Sequence, residues 1–348
     1  MYGKRAFALL FGLKDQKKQA DKISHRWVES RLFCMFVVLI EPYNMLYMIN
    51  QLITKLLPLM PKKLVWLFSR KYIAGETIDD AIRVCRTLNR QNIRITIDLL
   101  GEFISRLEEA TENKNAYLEI IERLEKEKID GNYSLKPTSF GLLIDQEACY
   151  RNIREIVSKA AAHGNFVRID MEDSQCTDPE LALFRKLHSE FPHHVGLVLQ
   201  AYMKRTLADI QRLQPLNTSD TPLNFRLCKG IYVEHESIAY KKYQEINDHY
   251  LEDLEYIFLQ GMYPGIATHD KPLVEGAFRL IEKYKIPKER YEFQMLYGVT
   301  PELRKYIADK GHTMRVYVPF GKEWFGYSTR RLKENPKMVT HIIKALFT

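Results

Sequence analysis

The sequence has few cysteines and no long apolar run. Its five cysteines among 348 residues are widely spaced and include no CxxC pair, so they predict neither a disulfide framework nor a zinc site. The longest apolar run, residues 32–40, has nine residues and stops at Glu41, whereas a membrane-spanning helix needs about 20. No small-residue cleavage site follows the run, as a secretory signal would require. We therefore expect a reduced, cytoplasmic protein.

The sequence also lacks the patterns that bind metals or nucleic acids. His269 is isolated, and His193 and His194 have no partnering carboxylates at ligand spacing, so we expect no metal. The net charge of +8 comes from residues 1–71, which carry 13 basic and 4 acidic side chains, against 39 and 40 in residues 72–348. The longer part is neutral and has no basic run or recognisable binding motif, so we expect no nucleic-acid partner.

Residues 1–71 form a candidate basic N-terminal helical arm. Within it, residues 48–72 hold five basic side chains, no acidic ones and many large apolar residues. Such a segment is either a helix packed on the outside of the next domain with a solvated basic face, or an amphipathic helix on an anionic membrane surface. Residues 1–44 show no clear period, and Met45 and Met48 are plausible starts, which leads to the hypothesis that translation begins there.

Short apolar runs rich in β-branched residues alternate with amphipathic stretches through residues 72–348, which is typical of a βα architecture. A helix with Thr77 as its N-cap precedes them. The predicted strands are residues 93–101, 133–141, 166–173, 195–202, 224–232, 265–270, 291–298 and 314–321. A Rossmann fold would require a Gly-rich fingerprint after the first strand, and there is none. The pattern therefore predicts an α/β fold, a (βα)8 TIM-type barrel.

Polar side chains collect where the predicted strands end, which is where the active sites of such barrels lie. They are Lys136, Asp170, Gln200, Arg226, Lys229, Thr268, His269, Asp270, Gln294 and Tyr317. A lone Asp in this position is more often a helix cap, and a lone His is more often a satisfied core residue. The convergence of so many polar groups on one end of one barrel nevertheless predicts a site there.

The predicted last helix, over the barrel mouth, carries a second cluster of polar side chains. Tyr327, Arg330, Arg331 and Glu334 stand at i, i+3, i+4 and i+7, within an arc of about 100°, and therefore share one face. Two adjacent arginines can bind a carboxylate with several donors, and Glu334 can orient them. The alternative is an exposed helix with surface salt bridges. We expect a carboxylate site because the helix directly follows the eighth strand.

From about residue 70 to residue 347 the chain resembles the proline dehydrogenases, flavoenzymes that bind FAD on a (βα)8 barrel. The motifs RIDMED, LQAYMKRT, RLCKGIY, ATHD, FQMLYG, RVYVPFG and YSTRRLKEN occur in the order that the family has. The length resembles that of the short, monofunctional bacterial form. The resemblance implies oxidation of L-proline to Δ1-pyrroline-5-carboxylate by hydride transfer to flavin N5. It also implies that a membrane quinone accepts the electrons, and docking at the membrane would give the basic arm a purpose.

The resemblance further implies roles for individual residues. Asp170 and Arg226 would act at the catalytic centre, with Arg226 beside the flavin N5/O4 edge. The substrate would contact Lys136, Leu296, Tyr317, Tyr327, Arg330 and Arg331. The cofactor would contact Met171, Gln200, Arg226, Lys229, Gly230, Ile231, Thr268, His269 and Gln294. A tyrosine at 317 would crowd a hydroxyl on C4 of the ring, which favours L-proline over trans-4-hydroxy-L-proline.

The sequence departs from the common family pattern at three positions. Asp270 stands where Asn is usual and places an extra negative charge near the cofactor. His235 stands where Pro is common, and Pro137 directly follows Lys136. None of these changes removes a charged catalytic group.

Two other functions are compatible with parts of the sequence. One is another flavin barrel, such as a methylenetetrahydrofolate reductase, which the paired arginines do not predict. The other is a binding module that keeps the FAD or carboxylate site without turnover. Retention of Asp170, Arg226, Arg330 and Arg331 favours an active enzyme.

Overall fold

The computed structural model describes residues 65–66 and 69–334, with side chains up to residue 329. The segment 48–72, apart from its last residues, and the alternative starts therefore lie outside the described residues, as do the side chains of Arg330 and Arg331. The chain divides into two compact units, residues 62–328 and residues 1–61 together with 329–348. In the described part, no helix combines the length and the apolar character needed to cross a membrane.

The first unit contains a closed parallel barrel. Within residues 69–334 its strands are β1 (Arg94–Leu99), β2 (Gly131–Leu135), β3 (Val167–Ile169), β4 (Val195–Gln200), β5 (Asn224–Cys228), β6 (Tyr263–Ala267), β7 (Glu292–Leu296) and β8 (Met314–Phe320). Each strand pairs in parallel with the next, and β8 closes the ring on β1. The predicted (βα)8 barrel is confirmed.

Helices precede, separate and follow the strands. They are α1 (Ile78–Asn89), α2 (Leu107–Lys126), α3 (Gln146–Ala162), α4 (Ser174–Glu190), α5 (Thr206–Leu213), α6 (Tyr243–Leu259), α7 (Lys271–Tyr284), α8 (Pro301–Asp309) and α9 (Trp324–Glu334). Short 3₁₀ turns occupy Pro137–Phe140, Gln214–Leu216 and Lys288–Arg290. Helix α1 begins as predicted, because the Thr77 hydroxyl accepts from the backbone N–H of Asp80 at 3.2 Å. Its apolar face packs on β1 and β8.

Several predicted strands are longer than the observed ones, because backbone pairing with the neighbouring strand ends before the predicted C-terminus. β2 starts earlier than expected, at Gly131, and stops at Leu135. Proline has no N–H to donate to the sheet, so the strand does not continue through Pro137, where a 3₁₀ turn starts. β3 stops at Ile169 and β6 at Ala267. The residues beyond these ends, including Lys136 and Asp170, therefore lie on loops at the C-terminal end of the barrel. Apolar patterning does not reveal where backbone pairing stops.

Unusually for a barrel of this kind, the interior is largely polar. Alternate residues of a strand point to the same side, and polar side chains, all buried except the half-buried Tyr317, recur at this spacing: Thr96 and Asp98, Asn132 and Ser134, Arg168 and Asp170, Glu292 and Gln294, and Arg315 and Tyr317. The intervening residues face the helices, as the bond from the Tyr133 hydroxyl to Glu125 of α2 illustrates. Such interiors are usually filled by Val, Ile and Leu. Here the buried charges require partners.

Candidate active site

The centre of the site is an ion pair between Asp170, directly after β3, and Arg226 of β5. Arg226 Nη1 donates to Asp170 Oδ1 at 2.9 Å and to the Ser134 hydroxyl at 3.0 Å, and that hydroxyl donates to the same carboxylate oxygen at 2.6 Å. The second oxygen of Asp170 accepts from the Tyr317 hydroxyl at 3.1 Å. Residues of three strands, β2, β5 and β8, therefore hold one carboxylate in a fixed position.

Tyr317 contacts Arg226 with the face of its ring, in addition to its hydrogen bond to Asp170. The guanidinium carbon of Arg226 lies 5.1 Å from the centroid of its ring, within the range of a cation–π contact. Burial raises the pKa of the Tyr317 phenol well above its usual value, and the Asp170 carboxylate raises it further. The phenol therefore stays protonated and remains a donor at neutral pH.

Lys136 is held by a residue that the sequence did not indicate. Its ammonium lies 3.2 Å from both carboxylate oxygens of Asp98, which is fully buried at the end of β1. Burial raises the pKa of Asp98 to about 6 against the attraction of Lys136. Burial by itself lowers the pKa of Lys136, but the carboxylates of Asp98 and Asp170 outweigh it and the pKa rises. Lys136 is thus a protonated cation beside the central ion pair.

Gln200 joins the loop after β3 to the end of β4. Its amide nitrogen donates to the carbonyl oxygens of Met171 and Glu172, at 3.3 and 2.7 Å. Its own carbonyl oxygen is buried and has no hydrogen-bond partner among the described residues. A buried acceptor without a donor is costly in a folded protein, so this atom marks a place where a ligand N–H fits.

The residues after β6 lie at the rim of the barrel. His269 Nε2 accepts from the backbone N–H of Leu296 at 2.8 Å, which joins the ends of β6 and β7. Asp270, the departure from the usual Asn, pairs with Lys229 and accepts from Asn247 at 3.3 Å. Burial alone would raise the pKa of Asp270, but the hydrogen bond and the charge of Lys229 lower it. The extra negative charge is thus neutralised by a neighbouring cation.

Gly230 follows Lys229 in the loop after β5. Its φ of 105° lies in the region that favours glycine, and a Cβ there would stand 2.0 Å from the ring of Tyr202. The structure therefore gives two intrinsic reasons for glycine at this position. Its neighbour Ile231 is partly exposed, at 39% of its surface.

Glu172, Cys176 and Glu180 form a buried group beside the site. Their potential ligand atoms lie within 4.8 Å of one another. The Glu172 carboxylate accepts from the backbone N–H and the hydroxyl of Thr138, at 3.0 and 2.6 Å. The Glu180 carboxylate accepts from the backbone N–H of Glu172 at 3.1 Å. These bonds tie the loop after β2 to the loop after β3, so the group has a structural role in holding Lys136 near Asp170.

Comparison with known proteins agrees with this geometry. A sequence model of the family described as proline dehydrogenase matches residues 81–342. The chain belongs to the proline dehydrogenase family. The expected resemblance is confirmed.

Individual relatives in this family align over most of the chain. "Proline dehydrogenase 1" of Bacillus subtilis subsp. natto is 35% identical over 278 residues, which cover 80% of this chain and 90% of that protein. "Proline dehydrogenase" of Deinococcus radiodurans is 33% identical, with coverage of 82% and 92%. The crystal structure of proline utilization A from Bdellovibrio bacteriovorus, inactivated by N-propargylglycine, superposes with a TM-score of 0.74 at 27% identity. The match covers 79% of this chain and 33% of that one.

The structure brings most of the expected residues of this family member together. Asp170, Arg226, Gln294 and Tyr317 share one hydrogen-bonded network, and Lys136 stands beside it. Met171, Gln200, Lys229, Gly230, Ile231, Thr268, His269 and Leu296 lie at or just beyond the C-terminal ends of the strands. Tyr327 is buried in α9. The helix that carries Arg330 and Arg331 is present, but their side chains lie outside the described residues.

Sequence reasoning missed Asp98, Ser134, Glu172, Glu292 and Arg315. Asp98 directly follows a run of β-branched residues, and Arg315 lies inside an apolar strand, so a charged residue in such a segment was a usable signal. Ser134 gave none, because serine is common in loops and strands alike.

The buried Glu180 makes the stability of the protein depend on pH. Burial raises its pKa well above the usual 4.5, and the charge of Glu172 raises it further. A carboxylate with a raised pKa costs stability once pH rises above the unfolded-state value. The difference in melting temperature between Glu180→Gln and the parent protein should therefore shift in favour of the variant, by about 2 °C or more, as pH rises from about 5 to about 8. Differential scanning fluorimetry measures this difference.

Glu190→Gln is the matched control, at the end of the same helix. Hydrogen bonds from Tyr150 and Arg154 lower the pKa of Glu190. Its contribution to stability is present above the unfolded-state pKa and is lost as pH falls. Between about pH 5 and 8 the melting temperature of the variant should therefore lie below that of the parent by a nearly constant amount. Equal pH profiles for both variants would contradict the assignment.

Proposed function

We propose that the protein is an FAD-dependent proline dehydrogenase that oxidises L-proline to Δ1-pyrroline-5-carboxylate and passes the electrons to a quinone. The observation that carries the proposal is the Asp170–Arg226 pair at the barrel mouth, supported by Ser134 and Tyr317. It places a fixed cation where the active sites of such barrels lie.

Two polar side-chain atoms of this centre are available to form hydrogen bonds with FAD. The Oε1 of Gln200 is an acceptor without a partner among the described residues. The Nη2 of Arg226 is a donor for which the described residues likewise offer no acceptor. The edge of an isoalloxazine ring has both N–H and C=O groups and can satisfy both atoms. Met171, Thr268, His269 and Gln294 would complete its contacts, and Lys229, Gly230 and Ile231 would hold the rest of the cofactor.

When bound, FAD supplies the hydride acceptor, and the protein supplies binding, orientation and charge. Arg226 would stabilise the negative charge that develops during the reaction, because Asp170 and Ser134 hold its guanidinium in place before the substrate arrives. Lys136 would bind the substrate carboxylate together with Arg330 and Arg331. Holding the substrate in one orientation contributes directly to the rate.

Leu296, Tyr327 and Tyr317 would form the less polar part of the substrate site. The hydroxyl of Tyr317 is fixed on Asp170, so its ring cannot move aside to admit a larger substrate. This supports the preference for L-proline over trans-4-hydroxy-L-proline.

Anaerobic reduction of the bound flavin tests the function directly. The purified protein, reconstituted with FAD, should lose its visible flavin absorbance when L-proline is added without oxygen. trans-4-Hydroxy-L-proline at the same concentration should act more slowly. A protein that binds FAD but keeps its absorbance with both substrates is a binding module, and that result would refute the enzymatic proposal.

The arginine pair of α9 has its own kinetic test. Removing both charged partners of a carboxylate costs several kcal/mol, so Arg330→Gln/Arg331→Gln should raise KM for proline about 100-fold. Lys322→Gln removes an exposed basic residue just before the same helix and is the control, for which KM should stay close to that of the parent. An unchanged KM in the double variant would reject the carboxylate clamp.

We also propose that the protein is cytoplasmic and meets its quinone at the inner face of the membrane, where the basic arm of residues 1–71 contacts anionic lipid. The support is the charge distribution: this arm carries a net +9 and residues 72–348 a net −1. We retain the domain division at residue 71 as part of the same proposal.

Binding of the full chain to anionic vesicles tests the arm. Each basic residue near an anionic surface contributes about 1 kcal/mol, so replacing Lys55, Lys62 and Lys63 by Gln should weaken binding about 100-fold. The control replaces the exposed Lys242, Lys283 and Lys305 by Gln, an identical change in net charge. Equal losses in both triple variants would show that overall charge, not the arm, determines binding.

A further inference from the structure

A second ion pair lies inside the barrel, between Glu292 of β7 and Arg315 of β8. Arg315 donates from Nε and Nη2 to the two oxygens of Glu292, at 2.6 and 3.1 Å, and from Nη1 to the carbonyl oxygen of Ile95 at 2.7 Å. All three nitrogens of the guanidinium are thus engaged. Both side chains are buried, and in the family resemblance neither has a role. The pair is too well fixed for Glu292 to turn away from its neighbours.

Gln294 connects this pair to the catalytic centre. It stands two residues after Glu292, so both side chains point into the barrel. Its amide nitrogen donates to Glu292 Oε1 at 2.7 Å, and its carbonyl oxygen accepts from Arg226 Nε at 2.6 Å. A carboxylate can only accept and a guanidinium can only donate. The two neighbours therefore permit a single orientation of the Gln294 amide.

A glycine in β6 leaves the space that the contact between Gln294 and Arg226 needs. β6 lies between β5, which carries Arg226, and β7, which carries Gln294. The residue of β6 in register with Arg226 is Gly265. A Cβ at that position would lie 2.4 Å from the amide nitrogen of Gln294 and 2.9 Å from its Cδ. The absence of a side chain at Gly265 lets Gln294 reach across β6 to Arg226.

Arg226 is consequently fixed from two sides. Gln294 holds Nε, while Ser134 and Asp170 hold Nη1. This leaves Nη2 as the nitrogen without an acceptor among the described residues. Rotation of the guanidinium about Nε–Cζ would break the contacts at Nη1, and a flip of the Gln294 amide would bring two donors together at Nε.

We propose that Glu292 is a positioning residue for the reaction: by fixing the amide of Gln294, it fixes the guanidinium of Arg226 with one nitrogen directed at the cofactor. Glu292 touches neither cofactor nor substrate. The effect on the flavin rests on the proposed function, whereas the effect on the position of Arg226 does not. Arg315 keeps the Glu292 carboxylate ionised, since its charge and hydrogen bonds lower the pKa of Glu292 although burial alone would raise it.

Two variants interrupt the connection in different ways. Glu292→Gln removes the acceptor-only group, so the Gln294 amide is no longer held in one orientation. Gly265→Ala leaves Glu292 intact but displaces the flexible end of Gln294. The matched controls lie outside the barrel. Asp209→Asn neutralises a buried carboxylate held by Arg205 at 2.6 Å, and Gly276→Ala places a Cβ 2.7 Å from the end of Leu251.

The measurements are made on the FAD-loaded proteins. Residues that support a catalytic group typically contribute about 10- to 100-fold to activity. The rate at which proline reduces the bound flavin should therefore fall by that factor in both variants. KM should change by less than about twofold, because binding of the substrate carboxylate is untouched. The midpoint potential of the bound flavin should fall, since the positive charge that favours its reduced form is displaced. Both controls should match the parent in all three quantities.

Crystal structures of the parent and the two variants separate position from function. The 2.6 Å contact between Arg226 Nε and Gln294 Oε1 should be present in the parent and lost in both variants. Retention of this contact in both variants overturns the proposal. Its loss without any change in rate or potential also overturns it, because Glu292 would then be merely structural. If the parent protein itself fails to bleach with proline, the proposed function is wrong, and the contact alone decides whether Glu292 positions Arg226.

Discussion

The structure depends on one constraint: charges buried inside the barrel must be paired or hydrogen-bonded. Burying an isolated ion is prohibitively costly, whereas a pair with satisfied hydrogen bonds is tolerated. The barrel meets this constraint with the pairs Asp170–Arg226, Asp98–Lys136 and Glu292–Arg315. Arg168 has no carboxylate partner among the described residues and instead donates to the carbonyl oxygens of Leu197 and Asn224 and to the side-chain oxygen of Asn224. The partners come from different strands or from the loops that directly follow them, so the pairs also fix how these segments face one another. The same contacts that make the charges tolerable therefore hold the proposed catalytic groups in position.

This arrangement explains how a cation can be available for chemistry and yet be rigid. Arg226 uses two of its three nitrogens to bind the protein, and the third has no acceptor among the described residues. A guanidinium suits this task better than an ammonium, because its donors have a fixed planar geometry. Preorganised charge of this kind lowers a barrier without reorganisation during the reaction.

The departures from the family pattern show the same rule at the rim. Asp270 brings a negative charge to a position where the family usually has a neutral amide, and Lys229 pairs with it. Pro137, directly after Lys136, begins the 3₁₀ turn whose Thr138 binds the buried Glu172. Asp270 is thus balanced by a neighbouring cation, and Pro137 starts the turn from which Thr138 binds Glu172.

The sequence by itself determined the fold class, the identity of the eight strands and the helix capped by Thr77, because hydrophobic periodicity and capping are local properties. It also placed Asp170, Arg226, Gln294 and Tyr317 at one end of the barrel, since strand order and polarity suffice for that. Only the tertiary structure decided which of these groups touch, that Asp98 pairs with Lys136, and that Gly265 opens a path from Glu292 to Arg226. Those contacts join residues far apart in the chain. Their existence depends on strand register and on side-chain reach across a neighbouring strand, and neither is written in the local pattern.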